Sequence, residues 1–171
     1  MVGLSFVFAV YSGMYSREEK KKLTIDFWSL FKKRCAIHPD LQFKKKKWIL
    51  HRTKIKGVAL RFEVCRENAK VILELYNRIE KLRLKAFEVL ERYKPVVEEG
   101  FKDRLTWEFY YQRPDSGQEV CRIYTTQENV DIHRQNQWPD IYNFFIENML
   151  KLEENFLSVR DVLEGELKSN D

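Results

Sequence analysis

The sequence predicts an α+β domain whose helices pack on one face of a mainly antiparallel, five-stranded sheet. Apolar residues recur at helical spacing near both ends of the chain and alternate with polar residues in between, and no Pro- or Gly-rich linker interrupts the 171 residues. Apolar residues make up 44% of the chain and charged residues 33%, which excludes collagen-like and fully disordered classes. We therefore expect a single domain over residues 14–165 with the element order αβββαββα.

The two ends of the chain are predicted to lie outside this domain. Met1–Gly13 carries no charge. Its apolar stretch is shorter than the roughly 20 residues of a membrane span, and it lacks the basic residues that open a signal peptide. We interpret residues 1–13 as a non-native or disordered extension before a start at Met14, with a signal peptide as the alternative, and residues 166–171 as a disordered tail. No membrane association is expected.

The first helix begins at a capping box. Ser16 and Glu19 have the spacing at which each side chain accepts a hydrogen bond from the other residue's backbone N–H. The helix is predicted to run to about Arg34, because apolar residues recur every three or four positions. These residues are Leu23, Phe27, Leu30, Phe31 and Cys35. The sequence His38-Pro39-Asp40 then marks a loop.

Three strands are predicted next, because the apolar period changes to two. They are Trp48–Thr53, Gly57–Cys65 and Val71–Tyr76, the last two joined by a hairpin at Arg66–Ala69. Their expected core side carries Val58, Leu60, Phe62, Val64, Val71, Leu73 and Leu75. The opposite side of these strands is then the more polar one.

The second half is predicted to contain a helix, a hairpin and a final helix. A helix is expected over Ile79–Tyr93, and Pro95 is expected either to kink it or to begin a second piece that ends near Gly100. Strands Leu105–Gln112 and Val120–Thr126 flank a turn at Pro114–Gly117. The core side of the first of these strands is expected to carry Leu105, Trp107, Phe109 and Tyr111. The last helix starts at Trp138-Pro139-Asp140, where Pro suits the first turn and Asp suits the helix dipole.

Charge is distributed unevenly along the chain. The net charge is +5, but Arg17–Arg61 holds 15 Lys or Arg against 4 Asp or Glu, a net +11, and the rest of the chain is net −6. Such asymmetry favours an anionic partner for the first part, with a lysine-rich solvated surface as the alternative.

The strongest charge feature is the run Lys44–Lys47, which leads into more cations on the predicted strands. Cations can pair with phosphates, and aromatic side chains on a sheet can stack on bases. The predicted nucleic-acid-binding residues are Lys44, Lys45, Lys46, Lys47, Arg52, Lys54, Lys56, Arg61, Tyr110, Arg122 and Tyr124. Acidic residues on the same faces equally favour cross-strand ion pairs on a solvent-facing sheet. Both interpretations remain open from the sequence.

Several kinds of chemistry are excluded by missing motifs. The chain has no phosphate-binding glycine loop, no G-x-S-x-G, no H-E-x-x-H and no C-x-x-C. Its three cysteines, Cys35, Cys65 and Cys121, lack the paired spacings of a disulfide framework or zinc ribbon, which favours reduced thiols in a cytoplasm. We expect no catalytic residue, no metal and no cofactor.

Two other functions remain as alternatives. The aromatic residues of the long last helix, Phe144, Phe145 and Phe156, are expected to lie in the core. A surplus of them around Phe144–Phe156 could instead form a protein-interaction or homodimer surface. A cryptic metal-dependent hydrolase could use Glu63, Glu74 and His51, although the ligand set of a restriction-type nuclease is incomplete, because Tyr76 stands where a lysine is required.

A set of short motifs also resembles a known family. The motifs are Met14–Glu19, Phe27-Trp28, Trp48, Thr53, Ile55, Lys56, Arg61, Trp107, Arg122–Tyr124 and Trp138-Pro139. In order and spacing they resemble the bacterial domain-of-unknown-function family 4268, from about Met14 to Leu163. Lys54 stands where the family usually has Gly, and Leu60 where Phe is usual. The resemblance implies an uncharacterised accessory domain, and because related domains in some cases follow a nuclease-like domain, it implies nucleic acid or a nuclease-type protein as partner.

Overall fold

The computed structural model describes residues 15–42 and 53–169. Within these ranges the chain forms four α-helices and four strands. In order they are α1 (Arg17–Ile37), β1 (Val58–Val64), β2 (Asn68–Leu75), α2 (Glu80–Arg92), α3 (Lys94–Val97), β3 (Thr106–Gln112), β4 (Glu119–Glu128) and α4 (Trp138–Lys168). The α+β class is confirmed.

The four strands form one antiparallel sheet with the order β1-β2-β4-β3. The antiparallel arrangement is confirmed, and the described residues form four strands where five were predicted. Residues 48–52 of the predicted first strand lie outside the described residues, and Thr53, its last residue, is not part of a strand. The extension predicted over residues 1–13 also lies outside them.

Both sheet faces are buried along the central strand β2. Val71, Leu73 and Leu75 point into the hydrophobic core, as predicted. On the opposite face, Ile72 and Glu74 are buried as well, although neither belongs to the core cluster. That face is covered not by the hydrophobic core but by a network of charged and aromatic side chains.

An aromatic cluster joins α1 to α4 and to the sheet. Phe27 and Phe31 of α1 are fully buried, and Phe145 of α4 makes edge-on ring contacts with both of them. Phe62 of β1 lies 4.7 Å from Phe145 between ring centroids. Such pairs each contribute about 0.5–1.5 kcal/mol beyond the apolar area that they bury. The capping box predicted at Ser16 and Glu19 is present at the start of α1 and fixes the direction in which this helix begins.

The last helix is longer than expected. It runs without interruption to Lys168. Residues 166–168, which the sequence analysis assigned to a disordered tail, are therefore helical. Glu166 accepts a hydrogen bond from Arg92 of α2 at 2.6 Å, and its carbonyl oxygen accepts one from Lys85 at 2.6 Å. These contacts between helices extend the folded domain past residue 165.

The turn that leads into β1 is held by hydrogen bonds to three parts of the chain. The Thr53 hydroxyl donates to the carbonyl oxygen of Val58 at 2.7 Å, and the Thr53 carbonyl accepts from Nε of Arg160 on α4 at 3.0 Å. The Gly57 carbonyl accepts from the backbone N–H of Tyr76 at 2.7 Å, which ties the turn to the end of β2. The backbone of residues 53–57 is thus held in place by β1, by α4 and by the end of β2.

Lys54 in this turn adopts a left-handed backbone conformation, with φ of 67°. This conformation lowers the stability of the folded state by roughly 1–2 kcal/mol for a residue with a Cβ, but not for glycine. We expect Lys54→Gly to raise the free energy of unfolding by about 0.5–1 kcal/mol, measured by urea denaturation. Lys56→Gly is the matched control, because Lys56 has a negative φ, and it should be neutral or destabilising. Equal effects of the two changes would contradict this account.

Two buried groups that can lose a proton, the Tyr142 hydroxyl and the Cys35 thiol, should make the fold sensitive to alkali. The Tyr142 hydroxyl donates to the carbonyl oxygen of Phe27 at 2.7 Å, and burial raises its pKa from the ordinary 10.0. Burial likewise raises the pKa of the Cys35 thiol from 9.0 to about 11. Between the unfolded and folded pKa values the folded state binds more protons, so stability falls as pH rises through that interval.

We therefore expect unfolding free energy to be flat near neutral pH and to decline from about pH 9 upward. Tyr142→Phe should cost about 1 kcal/mol at pH 7 through the lost hydrogen bond and should make the decline above pH 10 shallower. Urea titrations at a series of pH values measure both effects. A decline that is equally steep in the variant would refute the role of Tyr142.

Candidate functional site

The face of the sheet opposite the helices is polar. Side chains alternate along each strand, and the apolar side faces α2 and α4. We call the other side the polar face. It comprises Arg61 and Glu63 on β1, Lys70 and Glu74 on β2, Glu108 and Tyr111 on β3, and Arg122 and Tyr124 on β4, with Tyr76 and Arg113 just beyond strand ends. These residues include four cations and three carboxylates. Glu128, on the same side at the end of β4, adds a fourth carboxylate, so the face carries no net charge.

Arg122 lies at the centre of the polar face and is almost fully buried, with 1% of its side chain exposed. Its guanidinium carbon lies 4.1 Å from the ring centroid of Tyr111 and 5.3 Å from that of Tyr124. Nη2 donates to the Glu63 carboxylate at 3.0 Å. Among the described residues, its buried Nε has no hydrogen-bond partner. The charge of Arg122 is thus held by two rings and one carboxylate.

Glu74 is the most buried carboxylate of the face, with 5% of its side chain exposed, and it binds two arginines. Nε of Arg61 lies 2.6 Å from Oε1, and Nη2 of Arg113 contacts the same oxygen. Both guanidinium groups also lie over the ring of Tyr76, at 5.4 and 5.8 Å from its centroid. These four side chains form the first of two ionic groups on the face.

Glu63 forms the second group in the same way. Its carboxylate bonds Arg122 and also lies 3.7 Å from Nζ of Lys70. Lys70 in turn lies 5.0 Å from the ring centroid of Tyr124. Burial raises the pKa of Tyr124, and the Glu108 carboxylate adds to this rise, so its hydroxyl is neutral at physiological pH. In both groups one carboxylate is shared by two cations, so each group taken by itself has a charge of +1. The carboxylates of Glu108 and Glu128 lie near the second group.

An irregularity in β3 changes which tyrosine faces Arg122. Glu108 pairs with Arg122 and Tyr111 pairs with Val120, so the register shifts between Glu108 and Tyr111. Two residues on β3 then oppose one on β4, which turns Tyr111 onto the polar face. The prediction that Tyr111 faces the core is therefore wrong. Tyr110, the predicted binding residue, lies in the irregular segment with 57% of its surface exposed.

The predicted binding residues are only partly brought together. Arg61, Arg122 and Tyr124 share the polar face, and Lys54 and Lys56 are exposed in the turn whose Gly57 pairs with Tyr76. The predicted residues Lys44, Lys45, Lys46, Lys47 and Arg52 lie outside the described residues, as does His51. The prediction omitted Lys70, Tyr111 and Arg113. Lys70 could have been found, because it lies an even number of residues from Glu74 on one strand and so points to the same face.

The described residues give no geometric support for a metal-dependent hydrolase. Glu63 lies opposite Lys70, four residues along β2 from Glu74, and each carboxylate has its own cations. No group of three or more His, Cys, Asp or Glu side chains in the described ranges could hold a metal ion. The three cysteines are free, and burial raises the pKa of Cys35 and Cys121. None of the described helices has the length and hydropathy to cross a membrane.

Fold and surface together define an α+β domain with helices on one face of an antiparallel sheet and an ion-paired, tyrosine-containing surface on the other. The chain belongs to the family described as Domain of unknown function (DUF4268), whose family model matches residues 23–160. The resemblance noted from its motifs is thereby confirmed. No curated protein and no solved structure matches the chain.

Proposed function

We propose that this protein is a non-enzymatic accessory domain that binds nucleic acid through the polar face and the basic residues around it. The observation that carries the proposal is the sharing of each carboxylate by two cations, Glu74 by Arg61 and Arg113, and Glu63 by Lys70 and Arg122. Taken by itself, each group carries one more positive than negative charge, which favours a phosphate.

Accessibility supports the same function. Arg61 is 43% exposed, so a phosphate can reach its guanidinium while Arg113 retains Glu74. The buried Glu74 carboxylate stays paired with Arg113 when Arg61 turns to a phosphate. Lys54 and Lys56 extend the positive charge past the Tyr76 end of the sheet, and the run Lys44–Lys47 would add four more cations.

The test is fluorescence anisotropy of labelled oligonucleotides from ~50 to ~200 mM salt. Arg61→Gln with Lys70→Gln removes the surplus cation of each group and leaves each carboxylate one partner. We expect this double variant to bind about tenfold more weakly and to lower the salt slope by about 2. Lys32→Gln with Lys33→Gln, which removes the same charge from the exposed side of α1, is the matched control.

Two results would contradict the proposal. The first is an unmodified protein that binds no nucleic acid at low salt. The second is a control variant that loses as much affinity as the polar-face variant, since binding would then follow total charge and not this face. Replacement of Lys44–Lys47 by Ala is a separate test of the basic segment, which should weaken binding and flatten its salt slope.

A second candidate function is a protein-interaction or homodimer surface on α4. Leu157 and Val162 are exposed apolar residues on this helix. Beside it an open groove of about 660 Å³ is lined by Asp40, Leu150, Glu153, Glu154, Leu157 and Ser158. Light scattering over a range of protein concentrations tests self-association, and a strict monomer would argue against the homodimer.

A further inference from the structure

The polar face presents aromatic rings at two separate places. Tyr76 lies beyond the end of β2, and Tyr124 lies opposite Ile72, four residues back along the same strand. At about 3.3 Å per residue, the two rings are therefore attached about 13 Å apart along the strand direction. Both side chains are half-buried, and each contacts two cationic groups. Aromatic rings and cationic groups therefore lie side by side at two places on the polar face.

This arrangement fits a nucleic acid whose bases are not paired. Aromatic rings and guanidinium planes stack on the flat faces of bases, and those faces are accessible in single strands but hidden inside a duplex. Reading of a duplex in its major groove usually requires a projecting helix or a two-stranded ribbon. The described helices that pack on the sheet, α2 and α4, lie on its other side.

We infer that the ligand of the polar face is single-stranded nucleic acid, with bases stacked on Tyr76 and Tyr124 and phosphates paired with Arg61 and Lys70. The inference rests on the proposed nucleic-acid function and narrows it to one class of ligand. On binding, phosphates take the place of the Glu74 carboxylate at Arg61 and of the Glu63 carboxylate at Lys70. Glu74 keeps Arg113, and Arg122 keeps Glu63, so neither of the two buried charges, Glu74 and Arg122, loses its partner.

The stacking role can be separated from charge by conservative changes at the two tyrosines. Tyr76→Leu and Tyr124→Leu remove the ring without changing the charge, whereas Tyr76→Phe and Tyr124→Phe keep the ring. Anisotropy is measured with a labelled single strand and with the duplex of the same sequence. We expect the single strand to bind more tightly, each Leu variant to lose about tenfold in single-strand affinity, and each Phe variant to stay within about twofold. Thermal melts of all four variants identify any loss of folding.

The outcomes separate the two proposals. If the unmodified protein binds neither strand form, the nucleic-acid function itself fails. If it binds the duplex as tightly as the single strand, or if folded Leu variants bind like the Phe variants, the function stands and the single-strand inference is overturned. Tighter single-strand binding together with a loss confined to the Leu variants supports both.

Discussion

Replacement of Glu63 by Ala is expected to lower the free energy of unfolding by about 2 kcal/mol, more than replacement of its buried partner Arg122. Glu63 is 44% exposed and Arg122 only 1%. Without Glu63, the guanidinium stays in a desolvated position with less compensation, because rehydration would require the rings of Tyr111 and Tyr124 to move. Loss of an exposed residue is therefore predicted to cost more than loss of the buried one.

Arg122→Met should cost less than about 1 kcal/mol, since replacing a buried charge by an apolar side chain of similar length is often neutral. Methionine can keep the contact with the tyrosine rings, and Glu63 remains partly hydrated beside Lys70. The double variant should be about as stable as Arg122→Met alone, so that the double-mutant cycle returns a coupling energy of about 2 kcal/mol.

Urea denaturation of the four proteins measures this cycle. Glu128→Ala serves as the control, because it removes an exposed carboxylate from the end of β4. The account of the network is wrong if Glu63→Ala is no more destabilising than Glu128→Ala. It is equally wrong if Arg122→Met proves the more costly of the two changes, since the buried charge would then stabilise the fold outright.

The polar face shows which parts of the candidate site could be predicted from the sequence alone. Alternation along β1 and β2 was sufficient to predict that Arg61, Glu63 and Glu74 share a face, because side chains on a strand point to opposite sides in turn. Which cation pairs with which carboxylate depends on the register between strands. That register is set by packing over the whole sheet and not by any local pattern.

The neighbourhood of Arg122 was harder to predict, for two physical reasons. An irregularity in one strand reverses the parity of every residue after it, and nothing in the run Trp107–Gln112 signals where β3 shifts. Burial of a charge by aromatic side chains is also a tertiary effect. A sheet without covering helices suggests solvated arginines, yet Tyr111 and Tyr124 cover Arg122.

Lys54 illustrates a signal that was present but incomplete. The family resemblance indicates that glycine is usual at this position, and the left-handed φ of Lys54 gives the physical reason. The sequence could show that the residue departs from the pattern. It could not show that the backbone keeps the conformation that the glycine serves, because that depends on hydrogen bonds from α4 and β2.

Gly57, three residues further on, should be the most sensitive position of this turn. Its φ is 83°, and a Cβ added there would lie 2.7 Å from Cβ of Asn77 and 3.0 Å from the Asn77 backbone. A left-handed alanine costs roughly 1–2 kcal/mol, and displacement of a packed neighbour costs about as much again. We expect Gly57→Ala to lower the free energy of unfolding by about 3 kcal/mol.

The chain offers a matched control in Gly165. This glycine lies inside α4, has no positive φ, and a Cβ added there would meet no atom within 4 Å. Gly165→Ala should therefore raise stability by about 0.5–1 kcal/mol, because alanine is the better helix former. Opposite signs for the same chemical change would show that backbone conformation and space decide the effect. If Gly57→Ala instead unfolds at the same urea concentration as the unmodified protein, the backbone of the turn can relax. The turn would then not fix the position of Lys54 and Lys56 beside the polar face.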